Sequence, residues 1–146
     1  MLRSTLQKYA AMQQLAADTM QFIQNHIQVG QTADQIKTLC ETYMLAHGAQ
    51  SFWYYDVGAL VFHHPDTLLS VSGREYVPAH TCIQSNDMIT IDLSPQRRRI
   101  WGDFARTFVV QNGLINGTYG FKKENIYYFD GGHLRLLADT EDTYCG

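Results

Sequence analysis

The sequence predicts an α+β fold in which two helices precede a largely antiparallel sheet. Two observations lead to this prediction. Apolar residues recur at helical spacing in the first third of the chain, whereas from Ser51 onward they form short runs that are rich in β-branched residues and bounded by turn residues. Helices and strands that are segregated along the chain in this way are typical of α+β proteins.

The first helix is predicted over residues 3–27, because its apolar residues return every three or four positions. It is expected to end near Gly30, where a residue without a side chain can adopt positive φ. Thr32 is the predicted N-cap of a second helix that ends at His47-Gly48, and Gln35 completes a capping box. The stripe of the first helix is formed by Leu6, Tyr9, Ala10, Gln13, Ala16, Ala17, Met20 and Ile23 or Gln24.

Strands are predicted wherever β-branched and apolar runs are bounded by turn residues. Asp130-Gly131-Gly132 separates the last two runs and is typical of a hairpin turn. The predicted strands cover residues 59–62, 68–71, 88–93, 104–110, 125–129 and 133–137.

Size and composition limit the classes of protein that fit. The chain has 146 residues, 45% of them hydrophobic and 17% charged, which is enough for one domain with a core. A net charge of −3 gives no electrostatic reason to expect a nucleic acid partner. No apolar run approaches the ~18 residues that span a membrane, and the N-terminus lacks the apolar core of a signal peptide. We therefore expect a cytoplasmic protein that contacts neither nucleic acid nor membrane.

The three cysteines are Cys40, Cys82 and Cys145, and no two of them have CxxC spacing. An odd, sparse set of this kind argues against a disulfide framework or a zinc site, so reduced, structural thiols are expected.

Asp92 and Asp103 are the candidate functional residues that strand geometry brings together. The polar stretch between the two strands reads as a hairpin turn, and a turn centred between Arg97 and Arg98 would make the two aspartates direct cross-strand neighbours. Two opposed carboxylates repel each other unless they share a proton, contact an Arg or Lys, or bind a cation. Oxygen ligands suit Mn²⁺, Mg²⁺ or Ca²⁺. The alternative is that one aspartate is exposed and the other pairs with Arg106 or a turn arginine.

Residues 86–94 and 101–110 resemble the metal-binding hairpin of the pita-bread metallopeptidases, the family of methionine aminopeptidase, aminopeptidase P, prolidase and creatinase. Ten residues separate the two aspartates, as in that family, and Arg106-Thr107-Phe108 follows the second of them. Residues 120–132 are similar to the segment with the family's last metal ligand, which maps onto Glu124. The chain looks most like the bacterial Xaa-Pro peptidase-like members.

The resemblance implies a partial pita-bread fold and a metal site formed by Asp92, Asp103 and Glu124. It also implies Mn²⁺ or Co²⁺, with Zn²⁺ or Fe²⁺ as alternatives, as one or two ions. The implied reaction is hydrolysis of a peptide by water that the metal activates. His63, His64 and His80 are the candidates for substrate binding, against the alternative of ordinary loop or surface histidines. The aromatic residues Trp53-Tyr54-Tyr55 and Tyr127-Tyr128-Phe129 are interpreted as packing residues, with a role in lining a substrate pocket as the alternative.

The chain departs from the family between its two matches. There the family has a long segment with a metal-binding His and a further Glu, whereas only residues 111–119 join the matches here, and none of them resembles those ligands. Residues 1–146 are therefore expected to form one truncated catalytic domain, with an N-terminal half at 1–112 and a final hairpin at 120–137. Three hypotheses follow: a metal-dependent exopeptidase, an inactive metal- or peptide-binding module, and a half-fold that assembles as a homodimer.

Overall fold

A computed structural model describes residues 3–110 and 122–138 of the chain, and its two helices lie close to where the sequence predicts them. Gly30 follows the first helix with φ of 94°. The capping box is present, because the Thr32 hydroxyl accepts the Gln35 N–H at 3.2 Å and the Gln35 side chain accepts the Thr32 N–H at 2.9 Å. The helices are α1 (Arg3–His26) and α2 (Ala33–Ala46). No helix within the described ranges has the length and apolarity needed to cross a membrane.

Within the described residues the strands form three antiparallel sheets, which confirms the α+β prediction. Their orders are β1-β4-β5, β2-β3-β6 and β7-β8. Gly131 and Gly132 have φ of 57° and 88° in the turn of the last hairpin, as the sequence predicts. The strands are β1 (Ser51–Phe52), β2 (Ala59–His63), β3 (Met88–Leu93), β4 (Pro95–Arg97), β5 (Ile100–Trp101), β6 (Phe104–Val109), β7 (Tyr127–Asp130) and β8 (His133–Leu136).

The strand predicted over residues 68–71 is wrong. Asp66–Leu68 form a 3₁₀ turn, in which the Leu69 N–H bonds to the Asp66 carbonyl at 3.0 Å, and the chain beyond it is irregular. Ser70 and Val71 line cavities beside the β2-β3-β6 sheet and do not extend its edge. A short apolar run has the same periodicity in a strand and in a segment that lies beside a sheet, so the sequence does not separate the two.

The predicted hairpin register is also wrong, by two residues. Arg97 pairs with Ile100, so the turn is Arg98-Arg99 and is centred one residue later than predicted. Arg98 has φ of 58°, which a tight two-residue turn demands of a central residue. Moving the turn centre by one residue moves every partner by two, and Asp92 therefore pairs with Ala105.

The core lies between the helices and one face of the β2-β3-β6 sheet. α2 packs on β2, and α1 packs on β4, β5 and β6. Side chains alternate along a strand, so β3 presents Ile89, Ile91 and Leu93 to this core and Met88, Thr90 and Asp92 to the other face. Ile36 and Met44 of α2 are also fully buried. Burial of each such side chain contributes about 1.5–3 kcal/mol to the stability of the folded protein. The helices thus leave Thr90 and Asp92 on the opposite face of the sheet.

Cys40 and Cys82 are expected to differ in reactivity. Cys40 is fully buried, and burial raises the pKa of its thiol to about 12, whereas Cys82 is exposed. The thiolate is the reactive form, so at pH 8 iodoacetamide should modify Cys82 within minutes and Cys40 only after unfolding. Mass spectrometry of tryptic peptides from native and urea-treated samples measures this. Equal labelling of both residues in the native protein would contradict the buried position of Cys40.

Candidate metal centre

Asp92 and Glu124 lie in one row across the sheet, on the face away from the helices. Asp92 is opposite Ala105, and Ala105 is bridged in turn to Glu124 through backbone hydrogen bonds of 3.1 and 3.4 Å. Direct partners in an antiparallel sheet project to the same face. Because the middle residue of the row is an alanine, the two carboxylates can approach each other above its methyl group.

Asp103 enters the same space from further along the hairpin. It lies two positions before Ala105, immediately ahead of β6, and therefore projects to the same face as Ala105. The corrected register places it diagonally to Asp92. The predicted convergence therefore survives the change of register, since a shift of two residues preserves the face of every side chain.

One oxygen from each of Asp92, Asp103 and Glu124 lies within 4.8 Å of the other two. The resemblance implies this cluster, and its members lie 11 and 21 positions apart along the chain. Oxygen-only donors at this spacing are the chemistry that Mn²⁺, Mg²⁺ and Ca²⁺ prefer. The donor set therefore fits a divalent ion. In the described residues no histidine or further acidic residue joins the cluster.

Lys122 is the neighbour of the cluster that the sequence prediction did not assign. Its ammonium contacts Asp92 Oδ2 directly and lies 3.4 Å from Glu124 Oε1. Its backbone N–H donates to Thr107 Oγ1 at 2.8 Å, which places residue 122 beside β6 two positions from the Ala105–Glu124 bridge. Sequence spacing could have identified Lys122, because residues 122 and 124 project to the same side of an extended segment.

Burial and mutual repulsion set the charge state of the cluster. Burial, followed by the charges of Asp92 and Glu124, raises the pKa of Asp103 to about 7. Burial also raises the pKa of Asp92, although the hydrogen bond from Lys122 opposes the change. Burial acts to lower the pKa of Lys122, but its hydrogen bond with Asp92 and the nearby carboxylates raise it overall. Three acidic groups thus share one ammonium, and a second cation would relieve the remaining repulsion.

The free energy of unfolding of the metal-free protein is expected to fall as the pH rises from 3.8 to about 7. In this window the folded Asp103 retains a proton that the unfolded chain has lost, so the folded state binds more protons and loses stability with rising pH. Asp92, whose pKa is also raised, acts in the same direction. Urea unfolding with a chelator measures this slope. Asp103→Asn should reduce the slope of the free energy of unfolding against pH. An unchanged slope in that variant would contradict the raised pKa of Asp103 as its cause.

A cavity of about 270 Å³ opens beside the carboxylates. Trp53 and Tyr54 line it together with Leu60 and Val71, and the role of these aromatic residues in lining a substrate pocket stays a prediction. A second cavity of about 180 Å³ shares Leu60, Val71 and Lys122 with the first. The cluster therefore lies in a partly apolar groove that the two cavities form.

The three candidate histidines lie apart from this cavity. His63 is buried at the end of β2, where Nε2 is 3.3 Å from the Thr81 hydroxyl and Nδ1 is 3.6 Å from Asp87 Oδ2. His64 and His80 are exposed, and none of the three lines the cavity at the carboxylates. Their role in substrate binding stays a prediction.

The model of one protein family, Metallopeptidase family M24, matches residues 7–126. The chain belongs to metallopeptidase family M24. This family depends on divalent metal ions, and Asp92, Asp103 and Glu124 provide an acidic site of the kind that such ions occupy. A search of curated protein sequences finds no match.

Solved structures with the pita-bread fold resemble this M24 chain, which confirms a partial pita-bread fold. X-Pro aminopeptidase from Thermotoga maritima is 17% identical, with a TM-score of 0.62 over 75% of this chain and 29% of its own. Prolidase from Pyrococcus horikoshii is 17% identical, with a TM-score of 0.65 over 77% and 30%. Methionine aminopeptidase from Rickettsia prowazekii is 20% identical, with a TM-score of 0.58 over 74% and 43%. The M24 chain thus spans less than half the length of each of these proteins.

Proposed function

We propose that this M24 chain binds a divalent metal ion through Asp92, Asp103 and Glu124 and acts in metal-dependent hydrolysis at the N-terminal end of peptides, of the Xaa-Pro type. The observation that carries the proposal is the convergence of these three carboxylates on one sheet face. The family model adds support, because it covers both the aspartate hairpin and the Glu124 segment. Mn²⁺ or Co²⁺ is the proposed metal, with Zn²⁺ and Fe²⁺ as alternatives, and one or two ions as the number.

The residues around the cluster have separate tasks in this proposal. When bound, the ion supplies Lewis-acid activation of the peptide carbonyl and of the attacking water. Trp53, Tyr54, Leu60 and Val71 exclude bulk water from one side of the groove and offer an apolar surface to a peptide side chain. Burial and the charges of Asp92 and Glu124 raise the pKa of Asp103 to about 7 in the metal-free site, so Asp103 would give up its proton on binding the ion.

The second candidate function is an inactive module that binds metal or peptide. Two observations favour it. No histidine or further acidic residue joins the three carboxylates in the part of the chain that the structure describes, and Lys122 already contacts two of the three. Residues 111–119, which the sequence analysis compared with the family's missing segment, lie outside the described residues.

Metal stoichiometry and turnover, measured on one sample, separate the two candidates. Isothermal titration with Mn²⁺ and Co²⁺ gives the number of ions, and release of the N-terminal residue from Xaa-Pro peptides gives activity. The hydrolase proposal expects bound metal together with turnover that a chelator abolishes. Bound metal without turnover would favour the inactive binding module over the hydrolase. The absence of bound metal would reject both metal-based proposals.

The remaining proposals concern organisation. We propose that residues 1–146 form one truncated pita-bread domain, with residues 1–112 as its N-terminal half and 120–137 as its final hairpin, and that the protein is located in the cytoplasm.

Exposed apolar residues of the final hairpin support the further proposal of a homodimer, since a second chain would cover them. Tyr127, Phe129 and Leu134 are 51%, 77% and 60% exposed. Light scattering should then give the mass of a dimer, and a monomeric mass at 100 µM protein (roughly the upper end of routine measurement) would exclude it.

A further inference from the structure

A buried glutamine of α1 is bound to the backbone of Asp103 at two points. The Gln13 side chain is only 2% exposed, its Nε2 donates to the Asp103 carbonyl at 2.6 Å, and its Oε1 accepts the Asp103 N–H at 2.8 Å. A buried amide is costly unless its polar atoms are hydrogen-bonded, and here both of them are. Gln13 thus makes the two hydrogen bonds that a neighbouring strand would make.

The direction of the Asp103 backbone explains why a side chain is needed there. Gly102 donates its N–H to the Pro95 carbonyl at 2.9 Å, within the hairpin. Backbone groups alternate between the two edges of an antiparallel strand, so the N–H and C=O of the next residue, Asp103, point away from the hairpin. Two positions further along the same edge, Ala105 pairs with the backbone of Glu124. Gln13 and Glu124 therefore bind neighbouring sites on one strand edge.

The approach of α1 to this edge depends on Gly102. A Cβ atom at Gly102 would lie 2.9 Å from the Met12 carbonyl oxygen and 3.3 Å from Gln13 Oε1, so a side chain here would force the helix and its glutamine away. The Gly102 carbonyl accepts the Trp53 indole N–H at 2.7 Å, which replaces the N–H that its hairpin partner Pro95 lacks. Residues 102 and 103 are thus held from both sides.

We propose that Gln13 is a positioning residue of the metal centre. Its amide fixes the backbone of Asp103 and so sets the direction from which the Asp103 carboxylate reaches Asp92 and Glu124. This inference rests on the proposed function, because it concerns a cluster that binds metal. It assigns to α1, which contributes no residue to the cluster, a part in forming the site.

Co²⁺ is the probe, since its visible absorption spectrum reports coordination geometry as well as binding. Gln13→Met keeps the side-chain volume but removes both hydrogen bonds, and we expect about tenfold weaker Co²⁺ binding together with a changed spectrum. Gln13→Glu retains an acceptor for the Asp103 N–H but turns a second acceptor toward the Asp103 carbonyl, so it should also weaken Co²⁺ binding and change the spectrum. The matched control is Gln14→Met, because Gln14 is exposed on the same helix and its side-chain amide donates to Asp18 Oδ1 at 2.9 Å.

Gly102→Ala tests the same contact from the strand side and is expected to reproduce the spectrum of Gln13→Met. If circular dichroism shows that Gln13→Met does not fold, Gly102→Ala and Gln13→Glu test the positioning role of Gln13 in its place. Folded variants that bind Co²⁺ with wild-type affinity and spectrum would overturn the positioning role while leaving the proposed function standing. A wild-type protein that binds no Co²⁺ would overturn the proposed function and this inference with it.

Discussion

Asp92→Ala is expected to lower the affinity of the protein for Mn²⁺ or Co²⁺ by on the order of a hundredfold. The substitution removes one of three carboxylates whose oxygens lie within 4.8 Å of one another. It also frees the Lys122 ammonium from its direct contact with Asp92, which leaves this positive charge with Glu124 and Asp103. Both changes weaken the attraction for a divalent cation.

Isothermal titration measures this loss, and Asp18→Ala is the matched control. Asp18 is exposed on α1 and bonds to Gln14, so the control removes the same charge from the chain without touching the cluster. Its affinity for metal should remain within about twofold of the wild type, because exposed charges at a distance are screened by salt. Asp92→Asn, which keeps the shape of the side chain, should lose affinity as Asp92→Ala does. Unchanged affinity in both Asp92 variants would reject the metal site.

Lys122→Met is expected to have the opposite effect on metal binding. Removing the ammonium takes away the cation that contacts Asp92 and Glu124, so the metal-free protein should lose stability and the affinity for Mn²⁺ should rise about three- to tenfold. This range is modest because the Lys122 side chain is 42% exposed and solvent screens its charge in part. The metal-induced increase in melting temperature should therefore be larger in the variant than in the wild type.

Lys8→Met is the control for Lys122→Met, since it changes the net charge equally at an exposed position of α1. It should shift metal affinity by less than about twofold. A fall in affinity for Lys122→Met would contradict competition between the lysine and the metal. It would show instead that Lys122 holds Asp92 in the orientation that a bound metal requires.

The sequence alone determined the features that depend on neighbouring residues. Helical spacing, the Thr32–Gln35 capping box and the conformational freedom of Gly30 are local signals, and the structure places α1 and the start of α2 accordingly. Alternation along a strand likewise put Asp92 and Asp103 on one face, and that held despite the error in register. The motif resemblance added Glu124, which strand periodicity by itself could not have connected with the hairpin.

Tertiary structure decided the features that depend on contacts between distant segments. The turn at Arg98-Arg99 sets which residues face each other across the hairpin. The whole stretch is polar, so its composition does not show which two residues form the turn. Lys122 reaches Asp92 across 30 residues of sequence, and Gln13 reaches Asp103 across 90. A glutamine in an apolar stripe and a lysine before a glutamate look ordinary in the sequence. Their roles appear only once folding has placed each of them beside a specific partner, and for Gln13 burial makes that partner necessary because an unpaired buried amide is costly.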